Sequence, residues 1–134
     1  MADAINAVRA FIMDFAEKNE LLDDQLEFDD SAIANAINRV IEDFNLTPPL
    51  IIKVSLQDFP NNQVLLEATV GFLLRGKAQF FERNRLSYTD ARGVSMHRFD
   101  KAPSYMQLAE AYIAAYSNWR DRYKITKNLE DSYI

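Results

Sequence analysis

No cysteine occurs in the 134 residues, which removes disulfide frameworks, thiolate metal sites and cysteine nucleophiles together. A single histidine, His97, leaves no histidine cluster for zinc or iron. Three glycines and four prolines are too few for a turn-rich β-sandwich or a glycine-rich phosphate loop. The longest apolar stretch, Ala68 to Leu74, falls far short of the roughly twenty residues that a membrane span needs. Met1 to Glu20 lacks the basic start and apolar run of a secretory signal, so the chain is expected to stay where it is made. Neither an internal repeat nor a low-complexity tract is present.

What the chain does have is apolar bulk: 49% hydrophobic and 12% aromatic residues, enough at this length for one core without staples. The expected fold is all-α. It has about four main helices, an extended segment between helices two and three, and a flexible C-terminal tail. Residues 1–123 form a single helical domain, and residues 124–134 form the tail.

Helical periodicity carries that expectation. Ile5, Val8, Phe11, Ile12 and Phe15 recur at three- and four-residue spacing after Asp3, which is placed to cap a helix ending near Asn19. Phe28 and Asp29 fit a hydrophobic staple and a cap for helix two, whose apolar face holds Ile33, Ile37, Val40, Ile41 and Phe44. Pro48 and Pro49 stop it near Asn45. Leu50 to Phe59 alternates loosely, as a short strand or an extended segment pinned by its apolar side chains. Helix three runs from Gln63 to about Tyr88, and Asp90 to Lys101, with Gly93, reads as an irregular loop. Helix four starts near Pro103 or Ser104, with Ser104 and Gln107 as a capping box. Its ladder is Tyr105, Leu108, Tyr112, Tyr116, Trp119 and Tyr123. Lys124 to Ile134 has no period and reads as loose until a partner orders it.

The net charge of −5 argues against a free-standing duplex-DNA binder. Residues 1–47 hold eleven acidic and three basic side chains, and residues 48–102 hold five acidic and eight basic. Two zones of opposite sign suit head-to-tail contact between copies; the plain alternative is solvated helix faces. The pairs Asp23/Asp24 and Asp29/Asp30 lack the spacing of a calcium loop and read best as caps and dipole partners. His97 has no nucleophile motif near it, so no catalytic residue and no cofactor are expected.

Arg75, Lys77, Arg83 and Arg85, with Arg92 and Arg98 beyond, scatter around a helical wheel instead of forming one stripe. Lys77 falls within the apolar face beside Leu73, Leu74 and Phe81. Arg75 and Glu82 share the opposite side with a strip of small residues, Ala68, Gly71 and Ala78. A helix packed on both sides points to a subunit interface made by Arg75, Lys77, Glu82, Arg83, Arg85, Arg92 and Arg98.

Several segments resemble the small connector or adaptor proteins at the head-to-tail junction of tailed bacteriophages. They are Leu26-Glu-Phe-Asp-Asp30 through Phe44-Asn-Leu-Thr-Pro-Pro49, Phe80-Phe-Glu-Arg-Asn-Arg-Leu-Ser-Tyr-Thr-Asp90, Gly93-Val-Ser95, Lys101-Ala-Pro-Ser-Tyr105 and Lys124-Ile-Thr-Lys-Asn128. The resemblance implies a virion protein assembled in the host cytoplasm. Its copies would form a ring, twelvefold in symmetry, docked on the portal protein and on an adjoining tail or neck protein. DNA passes only as cargo through the channel, and no membrane takes part. The docking tail would comprise Lys124, Ile125, Lys127, Leu129, Tyr133 and Ile134. Two alternatives stay open: a tail-completion or baseplate component, and a small helical nucleic-acid-binding regulatory module using Arg83, Arg85, Arg92 and Arg98.

Overall fold

Helices account for every regular element among the described residues of the computed structural model, which are 1–19, 25–92 and 102–132. In order they are α1 (Ala2–Ile12), a single 3-10 turn (Ala16–Lys18), α2 (Asp30–Leu46), α3 (Asn62–Arg92) and α4 (Ala102–Ser132).

The first helix is shorter than its periodicity predicts. Met13 adopts the left-handed conformation (φ 55°, ψ 36°) and its N–H returns to Ala10 O. The cause lies in Asp14, whose carboxylate turns inward to accept from Asn19 Nδ2 (2.6 Å), Glu27 N (2.8 Å), Phe28 N (2.9 Å) and Arg9 Nη1 (3.0 Å). These bonds tie the chain after α1 to the approach of α2. Asp3 is not the cap either: Met1 holds that position, and Asp3 sits in the first turn, where its charge still favours the helix dipole.

Helix α2 forms as its sequence dictates. Asp29 Oδ1 accepts from Ala32 N at 2.7 Å, and both Phe28 and Ile33 are buried. Thr47, just before the two prolines, closes the helix by donating from its hydroxyl to Asp43 O at 2.7 Å. The following segment contains no strand. It is held by Asn45, whose side chain donates to Val54 O (3.0 Å) and accepts from Val54 N (2.9 Å). Apolar pinning holds for Phe59, which is buried between the rings of Phe44 and Trp119, 5.2 and 5.9 Å away, and in part for Ile51, Val54 and Leu56, which pack half-buried against the core. Leu50 and Ile52 point outward, 67% and 83% exposed.

Asn61 caps α3, accepting from Gln63 N and Val64 N at 3.1 and 3.2 Å. Leu65, Val70, Leu73 and Leu74 join the core shared with α1 and α2. The strip of small residues is also covered, but by the same chain. A Cβ at Gly71 would lie 2.9 Å from Ile113 Cγ1 and 3.1 Å from Tyr112 Cβ, and Ala68 and Ala78 are fully buried. The two-sided packing that points to a subunit contact is therefore satisfied by α4 on this strip.

Helix α4 begins at Ala102, before Ser104, so Ser104 is not its cap; Pro103 stands in the first turn, where a missing N–H costs nothing. Its far end differs most from expectation. The helix continues to Ser132, so residues 124–132 are not a loose tail. Lys124 is 0% exposed, because its ammonium donates to Phe44 O and Thr47 O, carbonyls that the end of α2 leaves open. The expected loop at Asp90–Lys101 is helical through Arg92, and residues 93–101 lie outside the described residues.

Candidate functional site

Among the described residues no group of three or more His, Cys, Asp or Glu is placed to hold a metal ion. Asp29 is occupied as a cap, and Asp30 pairs with Arg9 Nη2 at 2.7 Å. Asp23, Asp24 and His97 lie outside the described residues. The strongest titration effects belong to structural tyrosines. Tyr116 donates to Asp43 Oδ2 and Tyr105 to Glu27 Oε1, both at 2.7 Å. Burial first, then these carboxylate bonds, push both phenols well above the ordinary range.

The predicted interface residues divide. Lys77, with Arg39 of α2, lines a groove of about 350 Å³ between α2 and α3, and Arg75 stands just outside it, over the lining Phe72 ring. The Arg75 guanidinium lies 4.8 Å from the centre of the Phe72 ring, and Arg39, from α2, lies 5.2 Å from the same ring. The Lys77 ammonium stands 5.0 Å from the Phe80 ring, 5.6 Å from Phe81 and 5.8 Å from Phe28. That explains how a lysine is tolerated on the apolar face of α3: three rings line its stem and receive its charge. Glu82 and Arg83 lie farther along α3, Glu82 half-buried and Arg83 exposed. Arg85 and Arg92 belong to the same helix, but their side chains, like Arg98 altogether, lie outside the described residues. Sequence reasoning missed Arg39. It sits on the outward side of α2, and only the way α2 lies along α3 brings it to Phe72.

A second surface gathers at the opposite end of α2. Beyond the buried Lys124, α4 carries Ile125 and Leu129 one turn apart, both exposed, with Lys127 paired to Glu130 at 3.7 Å. Tyr133 and Ile134 lie outside the described residues. At the same end the last residue of α2, Leu46, and the loop after it, at Leu50 and Ile52, are exposed. This loop is fastened at both feet, by Lys124 on Phe44 O and Thr47 O and by Asn45 on Val54. Farther on, Asp58 accepts from the Ser55 N–H, which holds its carboxyl below the ordinary range. A fastened loop with two aliphatic side chains in water, and a third on the helix end before it, forms an apolar patch of the kind that marks a contact surface.

No helix among the described residues is long and apolar enough to cross a membrane. No family model, no curated protein and no solved structure matches the chain.

Proposed function

We propose that this chain is a virion structural protein: a connector or adaptor subunit of the head-to-tail junction of a tailed bacteriophage. Its copies form a ring that docks on the portal protein and lets DNA pass through. The observation that carries this reading is the fastened loop. Leu50 and Ile52 are exposed on a loop hydrogen-bonded at both of its feet, after the exposed Leu46 at the end of α2. Lys124, which bonds the start of that loop, is followed on α4 by the exposed Ile125 and Leu129. Burying Leu50 and Ile52 against a partner supplies about 1.5–3 kcal/mol each, which ring symmetry multiplies. Tail or neck protein is the second surface such a ring meets.

The test is light scattering of the chain alone and mixed with portal rings of the same particle. The expected result is a small species alone and a complete added ring in the mixture. Leu50→Asp and Ile52→Asp, both at exposed positions, are expected to leave the helical circular-dichroism signal unchanged and to abolish docking. A chain that stays a lone globule in the presence of portal and neck proteins overturns the proposal. A duplex-DNA affinity that weakens steeply with salt, with no ring formed, would place the chain among nucleic-acid-binding modules instead.

A further inference from the structure

The groove between α2 and α3 contains charge that the fold does not use. Arg39 and Lys77 line it and Arg75 stands at its margin over the lining Phe72 ring; the three rest on the Phe72, Phe80, Phe81 and Phe28 rings, and none of them forms an ion pair among the described residues. The two carboxylates at the groove's edge are already engaged: Glu27 accepts from Tyr105 and Asp29 from the Ala32 N–H. Between the cations the floor opens at Gly76, where an added Cβ would meet nothing within 4 Å. A groove with an aromatic floor, a cationic rim and a glycine opening fits a short amphipathic helix that carries aliphatic anchors and carboxylates.

The end of α4 has that chemistry. Ile125 and Leu129 stand exposed one turn apart, and Glu130 and Asp131 flank them. It cannot serve the groove of its own chain. Tyr112 packs at the level of Gly71, and α4 then runs away from the groove without a break. At 1.5 Å per residue its end lies about 30 Å from Gly76 along the bundle. Donor segment and acceptor groove thus occupy opposite ends of one molecule, which is the arrangement of a head-to-tail contact that closes into a ring.

We infer that residues 125–131 at the end of α4 of one copy seat in the α2/α3 groove of the next, with Leu129 over Gly76 and Glu130 and Asp131 facing Arg39 and Arg75. The inference rests on the ring reading and specifies its lateral contact; the fastened loop is left to the portal.

The absence of cysteine permits a direct test. Gly76→Cys and Leu129→Cys are made in separate full-length chains, mixed in equal amounts on portal rings, and oxidised mildly. Disulfides form only when Cβ atoms approach to about 4 Å. The expected product is a mixed dimer, in about tenfold excess over a control pair of Gly76→Cys with Asn6→Cys, whose asparagine is exposed on α1. Arg39→Glu with Arg75→Glu in the first chain is expected to lower that yield. Glu130→Arg with Asp131→Arg in the second should restore it. Circular dichroism reports folding of each variant separately. Rings that form by light scattering without the mixed disulfide overturn this contact and leave the ring reading standing; failure of the unmodified chain to form rings at all overturns the ring reading itself.

Discussion

Lys124 meets Phe44 twice, donating from Nζ to its main-chain oxygen and standing 5.1 Å from the centre of its ring. The same ammonium donates to Thr47 O, so one buried cation closes the negative end of α2. Burial, then the nearby Arg120 charge, hold it below the ordinary lysine range. Two effects therefore compete in any replacement: relief of the desolvated charge, and loss of the donor for two carbonyls. Lys124→Met keeps the stem's bulk and leaves both carbonyls without this partner, so the second effect should win by about 1–3 kcal/mol. The expected observation is a lower urea midpoint with an unchanged slope. An unshifted midpoint would mean that the ammonium contributes nothing net.

Alkaline pH should act through the two tyrosines. Unfolded, both hydroxyls release their protons near pH 10.0; folded, Tyr105 and Tyr116 retain them, because burial and the carboxylates of Glu27 and Asp43 favour the neutral form. The unfolded state then binds fewer protons, so this contribution is whole below pH 10.0 and is lost as pH rises beyond it. Lys124 has the opposite sign: its lowered value means that stability gains as pH climbs towards 10.5. Comparing variants isolates the tyrosines. Tyr105→Phe and Tyr116→Phe are each expected to flatten the decline in urea midpoint above about pH 10. Profiles that run parallel to that of the unmodified chain would refute the assignment.

Local signals in the sequence account for the fold where the relevant partner is a neighbour along the chain. Asp29 before a run of apolar residues gives the start of α2, and two prolines give its end. The limits appear where the partner is distant. Phe15 keeps the helical spacing of α1, yet Asp14 finds better partners at Glu27 N and Phe28 N and the helix breaks at Met13. The polar residues after Tyr123 have no apolar period, yet the helix continues there because Lys124 reaches carbonyls 80 and 77 positions away. The small-residue strip on α3 signals close packing correctly, but composition cannot say whether the packed helix is the chain's own. Of the candidate site, Arg75 and Lys77 are legible as cations on an apolar helix; Arg39 joins them only through tertiary packing.

Arg9 is the hub of the N-terminal region. It donates from Nη1 to Asp14 Oδ2 (3.0 Å) and Phe28 O (2.9 Å), and from Nη2 to Asp30 Oδ1 (2.7 Å). Arg9 and Asp14 are both buried. Removing one partner of a buried pair leaves the other charge uncompensated, so Arg9→Met should cost about 3 kcal/mol. Arg9→Lys keeps the charge but loses the fork that spans Asp14, Phe28 O and Asp30, and is expected to recover only part of that loss. Denaturant midpoints of the two variants, measured together, check the order; equal stability of Arg9→Lys and the unmodified chain would show that charge alone suffices.

The two central glycines of α3 should respond to alanine with opposite signs. Both are mid-helix, where alanine is favoured by about 0.5–1 kcal/mol when space allows. At Gly76 the new methyl meets nothing within 4 Å, so the intrinsic gain should appear in full as a raised melting temperature. At Gly71 the methyl would come 2.9 Å from Ile113 Cγ1 and 3.1 Å from Tyr112 Cβ, with Ala109 O at 3.4 Å. Even if the Ile113 side chain turned aside, Tyr112 Cβ and Ala109 O are fixed to the α4 backbone, so α4 must move away from α3. Overpacking of this kind costs about 1–3 kcal/mol, more than the propensity gain. Gly71→Ala should therefore melt below the unmodified chain and Gly76→Ala above it. A stabilised Gly71→Ala would mean that α4 can back away from α3 at no cost, contrary to the close crossing at Tyr112.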